Sequence, residues 1–305
     1  MSLRFGTCSW KFPSWMGLVY SREHHYAADY LPEYAEHFST AEIDSWFYHM
    51  PTAEEVAEYK ARVPDTFRFT CKVPRDLTLT HHRDFGRGKS GGGKPVGGRG
   101  SSQNRQSGKP TRTGPPNEQF LSLKLFEQFA EITSPLHNQI DAMMFQFEYL
   151  NQQKMSSVGE FIDRFGTFIK DVDPGLPVGL EIRNGNYLKE EYFRFLSAAG
   201  LIPVLPEKQY MPPVTEVFQK FKPLVGERLV FRLMGGDRKE IEAAAGGKWN
   251  QLVMKKANLQ EIATVLAEAS LQARTTVNVN NHFEGSAPLT IQRLQRAIES
   301  SGAAR

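Results

Sequence analysis

The chain alternates short runs of β-branched, aromatic and other apolar residues with longer stretches in which apolar residues recur every three or four positions. The first pattern reads as strand and the second as amphipathic helix. Strands are predicted at "LRFGTCS" (3–9), "TAEID" (40–44), "FRFTCKV" (67–73), "AMMFQFE" (142–148), "PVGLEIR" (177–183), "IPVLP" (202–206), "RLVFRLM" (228–234) and "TTVNVNN" (275–281). Helices are predicted over 30–38, 53–62, 120–132, 156–170, 190–199, 252–271 and 289–300. The stretch after the sixth strand begins with prolines and carries the faintest helical pattern. Strand then helix, repeated around eight strands, implies parallel strands joined by helical crossovers. A single-domain α/β fold over residues 1–305, a closed (β/α)8 TIM barrel, is the simplest arrangement of that count, with an open doubly wound sheet as the alternative. No internal repeat is visible.

Several strands break the apolar pattern at one end. In "GLEIRN" (179–184), Leu180 and Ile182 suit a buried strand, but Glu181 and Arg183 alternate with them. Charged groups are seldom buried unpaired, because desolvation costs several kcal/mol per ion. Residues two apart share a face of a strand, so the exceptions come as sets. They are Glu42 and Asp44, Thr70 and Lys72, Gln146 and Glu148, Glu181 and Arg183, Arg232, then Asn278, Asn280 and His282. Every set lies at the C-terminal end of its strand, the end where TIM barrels build their sites. A mutually satisfied plug of the barrel mouth is the alternative, though Leu and Val would fill that space without the desolvation cost.

One segment departs from the alternation. Residues 87–117, "RGKSGGGKPVGGRGSSQNRQSGKPTRTGPPN", are rich in glycine, serine and proline and nearly devoid of apolar side chains. Such composition offers little burial to offset ordering entropy, so 85–117 reads as a flexible basic insertion between the third strand and its helix. It holds seven basic residues and no acid, so a net charge of +3 leaves −4 for the rest of the chain. Hydrophobic residues at 40% and aromatics at 11% suffice for a large core. Neither a secretory signal pattern nor an apolar run of membrane-spanning length is evident, which points to the cytoplasm. Cys8 and Cys71 sit in strand-like runs and read as buried, inert thiols.

The motifs "GTCSW" (6–10), "EIDSWFYHMP" (42–51), "FTCKVPRDLTLTHH" (69–82), "LEIRNGNYL" (180–188), "LVFRLMGG" (229–236) and "NVNNHFEGSAP" (278–288) resemble, in order, those of the YecE-like family, domain of unknown function seventy-two. The resemblance runs from Gly6 to Leu294 and implies a TIM barrel of unassigned activity, similar in shape to the endonuclease IV and xylose isomerase barrels. It places Glu42, Lys72, His81, Glu181, Arg183, Arg232, Asn280, Asn281 and Gly285 on recurrent motif positions. Departures are Cys8-Ser9 where Ser-Gly is usual, Asp44 for Asn, Asn184 for His, "FQFEYL" without its paired prolines, and the basic insertion.

Three chemistries fit these residues. Glu42, Asp44, His81, His82, Glu148, Glu181 and His282 could ligate metal, but HExxH and paired-Cys motifs are missing, so the cofactor is at most a hard divalent cation such as Mg²⁺ on Glu42 and Glu181. Metal-free acid–base catalysis would use Glu42 and Glu181 with Lys72, Arg183 keeping Glu181 ionised. Anion binding would use Arg183, Arg232 and Lys72 with Gln146, Asn280, Asn281, His81 and the glycines of the last two loops, Gly235, Gly236 and Gly285. Trp10, Trp15, Tyr20, Trp46, Phe47 and Tyr48 follow the first two strands and could stack on bases or sugars, Trp10 being the chosen contact. The leading expectation is a phosphate-bearing small molecule or nucleic acid as ligand, with phosphodiester- or nucleotide-directed hydrolysis as the reaction. A nucleic-acid-binding barrel without turnover and a carbohydrate-type hydrolase are the alternatives.

Overall fold

The computed structural model describes residues 3–83 and 113–300. Its strands are β1 (Leu3–Cys8), β2 (Thr40–Ile43), β3 (Arg68–Lys72), β4 (His81–Arg83), β5 (Thr113–Pro116), β6 (Ile140–Gln146), β7 (Val178–Glu181), β8 (Ile202–Lys208), β9 (Arg228–Gly235) and β10 (Arg274–Val279). Its α-helices are α1 (Ala27–His37), α2 (Ala53–Ala61), α3 (Leu123–Thr133), α4 (Val158–Ile169), α5 (Glu190–Ala198), α6 (Val214–Phe221), α7 (Arg238–Ala245), α8 (Leu259–Gln272) and α9 (Ala287–Ser300). Eight strands pair in parallel in the order β1, β2, β3, β6, β7, β8, β9, β10, and β10 returns to β1. This is the closed (β/α)8 barrel that the alternation predicts, and it excludes the open sheet.

The outer core follows from helical spacing. In α4, Phe161, Phe165 and Phe168 fall at i, i+4 and i+7 and are all buried, each worth roughly 1.5–3 kcal/mol of hydrophobic burial. Ser157 starts that helix by accepting the Glu160 N–H at 3.1 Å, and Thr52 and Ser122 cap α2 and α3 in the same way. A second, smaller cluster of Ala142, Met144, Ile202, Val204 and Val230 lies apart from the outer one. These alternate residues of β6, β8 and β9 fill the barrel interior beneath its polar end. Gly6 is required there, since a β-carbon would stand 1.9 Å from the Thr40 carbonyl oxygen.

The structure departs from the pattern around 252–271. Residues 252–258 are not helical, because the Val253 and Met254 amides donate to Glu284 O at 2.8 and 3.1 Å. Lys256 N donates to Glu284 Oε1 at 2.7 Å, so tertiary bonds replace the helical ladder. Helix α7, unpredicted, begins on Asp237, whose Oδ1 accepts from Lys239 N and Glu240 N. It ends at Gly246 with φ +58°. The faint helix after the sixth strand is present as α6.

The predicted insertion is framed by a ribbon. β4 pairs antiparallel with β5, so its last residues are strand rather than loop. Asn117 anchors the junction, its Nδ2 donating to Asp76 O and Leu79 O, each at 2.7 Å. The remainder of 85–117, up to residue 112, lies outside the described residues. Among the described residues no helix is long and apolar enough to cross a membrane. Cys8 and Cys71 are both buried free thiols, and burial pushes both thiols up from the ordinary range.

Candidate functional site

Strand register sets the height of each polar side chain. Glu42 pairs with Cys8 and Thr70, Gln146 with Glu181, and Arg232 with Pro206 and Asn278. Arg232 lies buried at the centre. Its Nε and Nη2 donate to the two Glu42 oxygens at 2.7 and 2.6 Å. Its Nη1 donates to Gln146 Oε1 at 2.9 Å and to Glu181 Oε2. Arg183 Nε reaches the other Glu181 oxygen at 3.1 Å. Lys72 Nζ donates to Asp44 Oδ1 and stands 3.6 Å from Glu42 Oε1. Arg232, Arg183 and Lys72 thus face Glu42, Glu181 and Asp44. This floor is charge-balanced, the condition under which buried ions are tolerated.

The electrostatics follow from those contacts. Burial alone would raise the Glu181 pKa, but Arg232 and then Arg183 overcome it and hold the carboxyl at about 2. Burial likewise opposes ionisation of Asp44, and Lys72 draws its pKa below the usual range. The Arg232 guanidinium is held charged, because Glu181 and Glu42 outweigh its desolvation. Ionised carboxylates already bound to cations are poor proton acceptors near neutral pH.

Above this floor opens a cavity of about 630 Å³, within the usual range for small-molecule sites. Arg183, Lys208, Arg75 and Arg238 join Lys72 and Arg232 on its walls, against the acids Glu42, Asp44 and Glu148. Arg238 is taken by Glu242 at 2.7 Å, and Glu148 by Lys154 at 2.7 Å. The Lys208 amine makes no hydrogen bond or ion pair with any described residue. Burial, then repulsion from Arg183, lowers its pKa. Asn281 accepts the Ala287 N–H at 2.9 Å through Oδ1, and its buried Nδ2 has no hydrogen-bond partner among the described residues. Phe12, Phe47, Tyr48 and Trp249 supply aromatic walls, with Lys72 Nζ 5.4 Å from the centre of the Phe47 ring.

The family profile described as "Protein of unknown function DUF72" matches residues 4–304. The chain belongs to this family. A crystal structure of a DUF72 family protein from Enterococcus faecalis V583 is similar at 18% identity and a TM-score of 0.62, covering 97% of this chain and 95% of that one. One from Thermotoga maritima MSB8 is similar at 17% identity and a TM-score of 0.62, covering 98% and 100%. At such identities the likeness concerns the fold. No curated protein matches the chain.

Within this DUF72 barrel, the predicted residues divide. Glu42, Lys72, Gln146, Arg183, Arg232, Asn280 and Asn281 all line the cavity, and Glu181 joins them from below through Arg232 and Arg183. Trp10, His81 and Gly285 do not line it. Trp10 is buried, donates to Ala27 O at 2.8 Å and packs edge-on against Tyr59. Trp15, Tyr20 and Trp46 are core residues too, whereas Phe47 and Tyr48 reach the cavity. His81 sits on the ribbon with Nδ1 3.0 Å from Thr80 Oγ1. Gly285 donates its amide to Asn281 O at 2.7 Å, and its φ of +107° serves a close approach to Gln251 O.

Two expectations need correction. The last two loops do not present free helix N-termini to a phosphate, because Asp237 caps α7 and Asn281 accepts the first amide of α9. Nor do Glu42 and Glu181 suit Mg²⁺, since the Arg232 guanidinium already occupies the place between them that a cation would take. Among the described residues no group of three or more His, Cys, Asp or Glu could hold a metal ion. Sequence reasoning missed Lys208. Carrying the alternation of 204 and 206 one step further would have placed it inward on the same strand.

Proposed function

We propose that the cavity binds a small phosphate-bearing or otherwise anionic ligand, with Arg183 as the principal anchor. One observation carries this reading. The floor, Arg183 included, balances its own charges, so Lys208 is a further cation on the same cavity, and burial and then repulsion from Arg183 lower its pKa. Such an arrangement is unfavourable when empty and relieved by an anion. Arg183 engages Glu181 through Nε, leaving its Nη groups for ligand oxygens. The aromatic walls favour a ligand with a planar or sugar-like part.

In this reading Glu42 and Glu181 position Arg232 and Arg183 rather than abstract protons, so hydrolysis by those carboxylates has the weaker support. The nucleic-acid alternative leans on the basic insertion, most of which lies outside the described residues. Titration calorimetry with inorganic phosphate and nucleoside monophosphates, at two salt concentrations, tests the proposal. Arg183→Lys should keep the fold and weaken binding by about 1–3 kcal/mol, the scale of a lost charge-assisted hydrogen bond. Unchanged affinity in that variant, or no saturable binding in the wild type, would defeat the assignment. Oligonucleotide binding with a steep salt slope in place of small-anion binding would favour the alternative.

A further inference from the structure

Lys208 occupies an unusual place. It ends β8, the sixth strand of the barrel, where an inward side chain meets the cavity just above the polar floor. The pairing of β8 with β9 runs Glu207 to Leu233 and then Lys208 to Gly235, skipping Met234. The extra residue lies on β9, so the alternation of β8 is kept and carries Lys208 inward with Val204 and Pro206,. The next turn is fixed by the Met211 amide on Lys208 O at 3.1 Å and carries Tyr210 at φ +67°, a conformation that disfavours any residue with a β-carbon. The neighbouring acid Glu207 faces away, accepting the Val214 N–H at 2.8 Å. Lys208 is therefore held in the cavity by its backbone, and its amine is paired with nothing described.

A half-buried lysine amine beside other cations loses its proton more readily than one in water, and the free amine is a nucleophile toward carbonyl carbon. Arg183 and Arg232 line the same cavity. The imidazole of His282 lines it as well, and burial keeps that ring's pKa below the ordinary value although both nitrogens face oxygen atoms, of Asn280 and Glu242.

We propose that Lys208 forms an imine with an aldehyde or ketone whose anionic group is held by Arg183. This deepens the anion-site reading and rests on it. The Nζ lone pair attacks the carbonyl carbon, and a C–N bond forms as the C–O bond breaks. The two hydrogens of the neutral amine leave with the carbonyl oxygen as one water, so the step needs no oxidant or reductant. Both His282 ring nitrogens are engaged by Asn280 and Glu242, so the proton passes from nitrogen to the departing oxygen through solvent.

Pyridoxal 5′-phosphate, a phosphate-bearing aldehyde, is a suitable probe, with cyanoborohydride as the hydride donor that reduces the C=N bond to a stable amine. Peptide mapping of the full-length protein by mass spectrometry reads the site. The expected result is trapping at Lys208 at least about tenfold faster than at exposed lysines such as Lys189, slowed about tenfold by saturating inorganic phosphate. Lys208→Arg should abolish that adduct and leave slow surface labelling. Labelling spread evenly over surface lysines, or Lys208 reacting no faster than Lys189, overturns the proposal. If calorimetry still finds a phosphate site lost in Arg183→Lys, the anion reading survives while the imine fails. Rapid trapping at Lys208 without phosphate protection removes Arg183 as the anchor and overturns the proposal in its stated form.

Discussion

Replacing Arg232 with methionine tests the floor of the cavity. The guanidinium makes four hydrogen bonds, two to Glu42 and one each to Gln146 and Glu181, and both carboxylates are fully buried. Arg232→Met keeps much of the volume but leaves Glu42 with Lys72 at 3.6 Å and Glu181 with Arg183 at 3.1 Å as their remaining cations. Removing one partner of a buried ion pair costs about 3–5 kcal/mol. The pKa of Glu181 gives an independent scale. A carboxyl held at about 2 instead of 4.5 contributes roughly 3 kcal/mol at neutral pH. That contribution is present above about pH 4.5 and disappears as pH falls toward 2, because the unfolded chain takes up the proton first. In Arg232→Met the larger opposing charge is gone and Arg183 is the main charge left against burial, so the Glu181 pKa rises and the stability lost on acidification from pH 7 shrinks,. Urea denaturation at several pH values measures both effects. The Arg232→Met, Glu181→Gln double variant should recover at least about 1 kcal/mol of the loss. A single-variant loss below about 1 kcal/mol, or parallel pH profiles for wild type and variant, would refute the reasoning.

Ser9 sits at φ +64° on the cavity wall, so Ser9→Gly should raise stability by about 1 kcal/mol in the same denaturation assay. Gly6→Ala should do the opposite, by about 3 kcal/mol or more, because its β-carbon has only the Thr40 carbonyl to move against,; a melting temperature within a degree or two of wild type would refute that close approach.

The barrel was legible because its rule is local. Alternation along "FRFTCKV" or "RLVFRLM" and the i, i+4, i+7 spacing of Phe161, Phe165 and Phe168 can be read without knowing any partner. The height of the charged set was legible for the same reason, since Lys72, Gln146 and Glu181 end their strands and Glu42 and Arg232 stand in the C-terminal half of theirs. What stayed hidden depends on partners far along the chain. Residues 252–258 keep helical periodicity, yet their amides go to Glu284, a destination no window around them contains. The glycines of the last loops look like a phosphate cradle until Asp237 and Asn281 are seen capping the helices themselves. The cysteine–serine pair where the family resemblance gives Ser-Gly was a visible clue to the left-handed turn at Ser9. Trp10 shared its neighbourhood with Phe47 and Tyr48, and only packing against Tyr59 separates core from cavity.

A plug and a site differ in what they leave over. In a plug every donor ends on an acceptor, and the Glu42–Arg232–Glu181 floor comes close to that. Its charges cancel, so it projects little net field upward. The residues above it are different in kind. The Lys208 side chain has no described partner, and the Nη groups of Arg183 are not used by Glu181. On the proposed reading, the floor answers to stability and the wall to ligand. Substitutions should separate along that line, with Arg232 moving the denaturation midpoint and Arg183 and Lys208 moving affinity and reactivity while the barrel stays folded.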